Sequence, residues 1–164
     1  MLTTSDASAI PAEPEVPGVA AIPAIPAIPA IRRFVHWVAD PDVSSVPQVR
    51  ARVRAALEAW AVPRGAADVL LMAVSELVGN VIRHAGGGRM RVGVASDAGW
   101  LRLDVADRGP GLPRLPAPRA EVDPESEGGR GLLIVQLMAA ELGGELSVVA
   151  HEFGKSVRVR IPVS

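Results

Sequence analysis

Ala73-Val74-Ser75-Glu76-Leu77-Val78-Gly79-Asn80-Val81-Ile82-Arg83-His84-Ala85, closed by Gly86-Gly87-Gly88, is the stretch on which the fold turns. Leu70, Val74, Leu77, Val78 and Val81 recur at helical spacing, which predicts a helix from about residue 64 or 66 to residue 85. At about 100° per residue, Glu76, Asn80 and Arg83 share a narrow arc, while Leu70, Val74 and Val81 point away from it into a core. A carboxylate and an amide thus stand one turn apart on the border between core and solvent.

Upstream, Ser45-x-x-Gln48 has the form of a capping box with Pro47 in the first turn. Val46, Val49, Val53, Ala56, Leu57 and Trp60 follow at helical spacing until Pro63, a first helix. Residues 31–38 mix aromatic and branched side chains as a strand does. Before them, Ala-Ile-Pro recurs three times over residues 21–29, and proline at every third position favours extended polyproline II. Residues 1–30 are therefore expected to be a disordered Ala/Ile/Pro-rich tail, with the domain proper at 31–164.

Downstream come two alternating runs. Val92 and Val94 mark one strand, Leu101, Leu103 and Val105 the next, with a hairpin turn at 96–99. Residues 108–128 are rich in proline, acid and glycine and have no periodicity; a loop of that length inside a domain is usually functional, and it is expected to be a lid. After Gly131 an apolar run to Leu142 predicts a third helix, stopped by Gly143-Gly144. A last hairpin turns at 152–154, and Val157, Val159, Ile161 and Val163 alternate there with Ser156, Arg158 and Arg160. The order βααββ, lid, αββ predicts an α+β fold, a two-layer α/β sandwich with a mixed, mostly antiparallel sheet and helices on one face. A doubly wound parallel sheet would need crossover helices between its strands.

Composition narrows the chemistry. The chain has 164 residues, 49% of them hydrophobic, and a formal net charge of −1, which argues against general nucleic-acid binding. Cysteine is absent, removing thiol catalysis and zinc-thiolate sites and fitting a cytoplasmic location. The apolar stretch at 16–31 is short for a membrane helix and broken by prolines, so no membrane span is expected. Lys155 is the only lysine, and Gly154-Lys155-Ser156 carries no glycine in the upstream register that a P-loop needs.

Three stretches carry candidate chemistry. On the central helix, an amide oxygen such as that of Asn80 suits a hard cation completed by substrate phosphates, and the Glu76 carboxylate can accept a proton from a hydroxyl. Asp107 ends its strand on the side of Leu101, Leu103 and Val105, where it could accept from a purine amine; Gly109 and Gly111 permit close approach of a ligand to backbone. Gly128-Gly129-Arg130-Gly131 opens an apolar helix, whose N–H groups and dipole favour an anion. Singly, these also read as a solvated helix face, a strand-end turn and a lid hinge. His84, at the helix end, suits the negative end of the dipole as well as the face of Asn80.

In register, the three stretches resemble the N, G1 and G2 boxes of the bacterial anti-sigma-factor serine/threonine kinases. That family is the small branch of the GHKL ATPases, which also include the histidine-kinase-like ATPase domains of sensor kinases; the fold it implies is the Bergerat type. The boxes are residues 73–85, Asp107-Arg108-Gly109-Pro110-Gly111 and Gly129-Arg130-Gly131-Leu132-Leu133. The resemblance implies Asn80 as Mg²⁺ ligand and Glu76 as general base, with Arg83 and His84 beside the nucleotide. It implies Asp107 on the adenine amine, Gly109 and Gly111 shaping that pocket, Gly129, Arg130, Gly131 and Leu132 along the phosphates, and Ser156 near the adenine. Gly79 stands where the family often has threonine.

The function so implied is a cytoplasmic, ATP-binding regulator of transcription that moves the γ-phosphate to a Ser or Thr of an antagonist protein. Its partners would be a sigma factor, an anti-sigma-factor antagonist, or both, with a homodimer left open and no direct contact with nucleic acid or membrane. The alternative is a non-catalytic ATP-binding module that sequesters a regulatory partner. A sensor histidine kinase fragment is disfavoured, because no helix with a phosphorylatable histidine precedes the domain.

Overall fold

Among the described residues the periodicities resolve into eight elements in the expected order. They are β1 (Arg33–Ala39), α1 (Ser45–Ala59), α2 (Arg64–His84), β2 (Met90–Asp97), β3 (Trp100–Asp107), α3 (Arg130–Glu141), β4 (Glu145–His151) and β5 (Gly154–Pro162). The computed structural model describes residues 32–84, 88–109, 130–152 and 154–163. The Ala/Ile/Pro tail, the expected lid over most of its length, Gly111 and Gly129 lie outside the described residues.

The strands form one sheet in the order β1-β2-β3-β5-β4. All four neighbouring pairs are antiparallel, so the parallel component expected of a mixed sheet does not occur among them. The cause is the last hairpin. The chain returns through α3 to β4, but β5 then folds back between β4 and β3, so β4, which α3 joins to β3 in the chain, never pairs with β3. Between β2 and β3, Ala98 and Gly99 both have positive φ, 48° and 79°, as a tight primed hairpin turn requires. Ser96 and Asp97 therefore stay in the ladder, opposite Leu101 and Trp100, and the turn is shorter than the 96–99 expected.

Alternation decides which side chains face the helices. In β3 these are Leu101, Leu103, Val105 and Asp107, all buried; in β5 they are Lys155, Val157, Val159 and Ile161. Val49, Val53 and Leu57 of α1, Leu70, Val74, Leu77 and Val81 of α2, and Leu132, Val135 and Ala139 of α3 cover that face. Each large apolar side chain so buried stabilises by about 1.5–3 kcal/mol. α2 has the length and hydropathy of a membrane span, yet half of its most apolar window is buried inside the fold, as befits the central core helix.

Helix ends depart locally from expectation. Ser45 is already helical and its hydroxyl donates to the Asp40 carbonyl at 2.6 Å, so the capping box does not form; Ser44 is the N-cap and makes no side-chain cap. α1 stops at Ala59, before Pro63, where Ala61 turns to φ 53°. α3 ends as Gly143-Gly144 predicts: Gly144 N–H bonds to Ala139 O and Gly143 N–H to Ala140 O, with Gly143 at φ 74°.

Candidate functional site

α2 carries the first group of candidate residues. Its position against α1 is fixed by Arg50, which donates to the Ser75 hydroxyl at 2.7 Å and to the Leu71 carbonyl. The next residue, Glu76, and then Asn80 are half-buried at the helix edge, while Arg83 and His84 are exposed in the last turn. The Asn80 amide oxygen accepts from Arg83 Nη2 at 2.7 Å. Cationic side chains at this end oppose the negative pole of the helix dipole.

The second group meets the first directly. The Glu76 carboxylate lies against Gly131 in the first turn of α3, so closely that a Cβ at residue 131 would collide with Oε2 and Cδ. Only glycine leaves room for this approach. First-turn N–H groups of a helix lack intrahelical partners and form a positive pole. The structure thus sets a carboxylate beside a helix start suited to an anion. Arg130 is exposed next to Gly131, and Leu132 turns into the core at 4% exposure.

At the end of β3 the buried Asp107 folds its carboxylate back on the chain: Gly109 N–H donates to Oδ1 at 2.6 Å. Oδ1 also lies 3.1 Å from Lys155 Nζ, which reaches the Gly109 carbonyl at 3.3 Å. Gly154, at φ 143°, comes so near Asp107 that a Cβ there would strike the Asp107 carbonyl oxygen. Here the expectation for Ser156 requires correction. Lys155 is the residue opposite Asp107 in the register, and Ser156 faces Ala106 and Val149, on the other side of the sheet by alternation.

Lys155 was legible in principle. It has the parity of Val157, Val159 and Ile161, which places a lone lysine on the core face, but its neighbours Gly154 and Ser156 draw attention to a phosphate loop instead.

The structure therefore builds two direct contacts, Glu76 with Gly131 and Asp107 with Gly109 and Lys155, and α2 packs on both β3 and α3 between them. Among the described residues no three His, Cys, Asp or Glu side chains gather into a metal cage. A hard cation here would be held by the Asn80 amide oxygen together with oxygens of a bound phosphate and water, the donor set that Mg²⁺ prefers. On the opposite sheet face a cavity of about 280 Å³ is lined by Arg32, Trp100, Arg102, Arg158 and Arg160 with Asp97 and Glu145. Part of its charge is met internally: Asp104 binds Arg102 and Arg158, each at 2.7 Å, and Arg160 lies over Trp100.

Comparison with known proteins gives the family and the fold. The family described as the histidine kinase-like ATPase domain matches residues 39–161. The sensor histidine kinase PdtaS of Mycobacterium tuberculosis, from strains CDC 1551 and H37Rv, is 36% identical over 104 residues, 59% of this chain. That match spans only 20% of PdtaS. The RsbU and RsbW domains of Rv1364c from Mycobacterium tuberculosis superpose with a TM-score of 0.58 at 18% identity, over 79% of this chain and 32% of that one. Full-length ShkA in complex with AMPPNP gives a TM-score of 0.50 at 20% identity, over 76% and 31% respectively. At such identities the structural likeness concerns the fold.

Proposed function

The chain belongs to the histidine kinase-like ATPase domain family, and from that premise we propose that it binds ATP and transfers the γ-phosphate to a serine or threonine of a regulatory partner. The observation that carries this reading is the contact between Glu76 and Gly131. It places the one half-buried carboxylate of α2's exposed edge against a helix start suited to phosphate oxygens. In this reading Asp107, buried at the end of β3, would accept from the adenine 6-amine.

In the proposed step the partner's hydroxyl oxygen forms a bond to the γ-phosphorus. The bond between that phosphorus and the β–γ bridging oxygen breaks, ADP leaves with the electron pair, and Glu76 takes the hydroxyl proton. Asn80 would hold Mg²⁺ together with the nucleotide's own oxygens, and the ion supplies charge neutralisation on the phosphates. Arg83, now on Asn80, is free to exchange that contact for a phosphate, since the pair is exposed and weakly held. The partner-switching role, with a sigma factor or its antagonist, is supported by the fold shared with the RsbU and RsbW domains of Rv1364c.

A second reading follows from the likeness to the sensor histidine kinase PdtaS: the acceptor would be a histidine. Apart from that likeness stands the module in which ATP is bound and no phosphate is transferred. One experiment separates these. The protein is incubated with Mg²⁺, γ-labelled ATP and a candidate antagonist, and the product is treated with acid. Acid-stable label on the antagonist supports the serine/threonine kinase. Acid-labile label indicates phosphohistidine, and nucleotide binding without label on any partner indicates the module.

A further inference from the structure

A buried lysine is costly, and its presence beside Asp107 calls for a reason. Lys155 is the chain's only lysine, 8% exposed, on the core face of β5. An ion pair in such a place stabilises a fold no better than two apolar side chains of similar volume, which the rest of this face supplies in Val157, Val159 and Ile161. What the pair provides is a fixed acceptor. Oδ1 of Asp107 receives both the Gly109 N–H and the Lys155 ammonium, and Lys155 is itself tied to the Gly109 carbonyl. Three contacts among three residues leave the carboxylate little freedom to rotate. The contacts from Gly109 and Lys155 both fall on Oδ1, which is held from two sides.

We propose that Lys155 is a positioning residue for base selection: by holding Oδ1 of Asp107 it aims Oδ2 at the 6-amino group of adenine and so sets preference for a 6-amino over a 6-unsubstituted or 6-oxo purine nucleotide. This rests on the reading of Asp107 given under the proposed function. An ionised carboxylate only accepts, so a 6-oxo purine meets lone pair with lone pair. Two of the three N–H groups of the Lys155 ammonium are already engaged, by Asp107 and Gly109.

The test uses the full chain with ATP, its 6-unsubstituted analogue purine riboside triphosphate, and the 6-oxo nucleotide ITP, each measured by calorimetry. The wild-type protein is expected to prefer ATP over the 6-unsubstituted analogue by roughly 10- to 100-fold, as a hydrogen bond to a charged group allows. Lys155→Met is expected to lower that preference to within about threefold, by weakening ATP and not the analogue, and Lys155→Arg to recover part of it.

A second variant remains informative should Lys155→Met fail to fold. In Asp107→Asn the lysine should hold the amide oxygen and turn the NH₂ toward the base, reversing the preference toward ITP. The double variant Asp107→Asn/Lys155→Met removes one of the two holds on the amide oxygen, leaving the Gly109 N–H, and should show a weaker ITP preference than Asp107→Asn alone. Equal weakening of all three nucleotides in Lys155→Met, or an ITP preference in the double variant as strong as in Asp107→Asn, overturns the inference alone. A wild-type protein without preference for ATP overturns the Asp107 reading, and the inference with it.

Discussion

The Glu76 carboxylate and the backbone of Gly131 occupy adjoining space with no room for a Cβ between them, joining the edge of α2 to the first turn of α3. The two residues are far apart in sequence, and each is unremarkable where it stands. Their contact gives the glycine a role that helix propensity would deny it.

Gly131→Ala follows from this contact. The colliding atoms belong to a flexible side chain, so Glu76 can swing away, and alanine is the better helix former by about 1 kcal/mol. Stability in chemical denaturation is expected to change by less than ~1 kcal/mol. Phosphoryl transfer is expected to fall at least tenfold, because small displacements of a reacting group cost that much or more. Full activity would show that the position of Glu76 is immaterial.

Gly154→Ala meets the opposite circumstance. The added Cβ strikes the Asp107 carbonyl and nears the Arg108 Cα, which are backbone, and φ 143° is unfavourable for any other residue. The variant is expected to lose about 2–4 kcal/mol, from overpacking and strain together, and to bind ATP more weakly. Thermal melting and calorimetry on the same preparation check both.

Glu76→Gln keeps the shape beside Gly131 and removes the base. ATP affinity is expected to stay within about threefold, and transfer to the antagonist to fall roughly 10²- to 10⁴-fold, the usual contribution of a general base. Single-turnover transfer with labelled ATP, beside equilibrium binding, separates the two. Undiminished transfer would remove Glu76 from the mechanism.

Arg50→Ala serves as the contrast, since Arg50 acts on the core side. It takes away two hydrogen bonds that tie α1 to Leu71 and Ser75 of α2. Stability is expected to fall by about 1–3 kcal/mol. Binding of ATP by the folded fraction is expected to be unchanged within twofold, by denaturant titration and calorimetry.

Much of the fold was legible because its signals are local. α2 runs from Arg64 to His84, as the recurrence of Leu70, Val74, Leu77 and Val81 predicts, and the last hairpin turns where expected. The Gly143-Gly144 stop needs only its own helix to act. The capping box at Ser45 failed because the Asp40 carbonyl, five residues upstream in the connection from β1, takes the hydroxyl, and helical periodicity carries no sign of that contact. The mostly antiparallel sheet was legible, but the place of β5 between β3 and β4 was not, since nothing within either strand states it.

The candidate site divides along the same line. Sequence by itself placed Glu76 and Asn80 on one helix edge and Asp107 on the buried side of its strand, because the periods of helix and strand fix which residues share a face. Only the tertiary structure could bring Gly131 against Glu76 and set Lys155, not Ser156, opposite Asp107. Such pairings depend on how elements cross and on the register between strands distant in the chain. A single step of that register moves every side chain to the other face of the sheet.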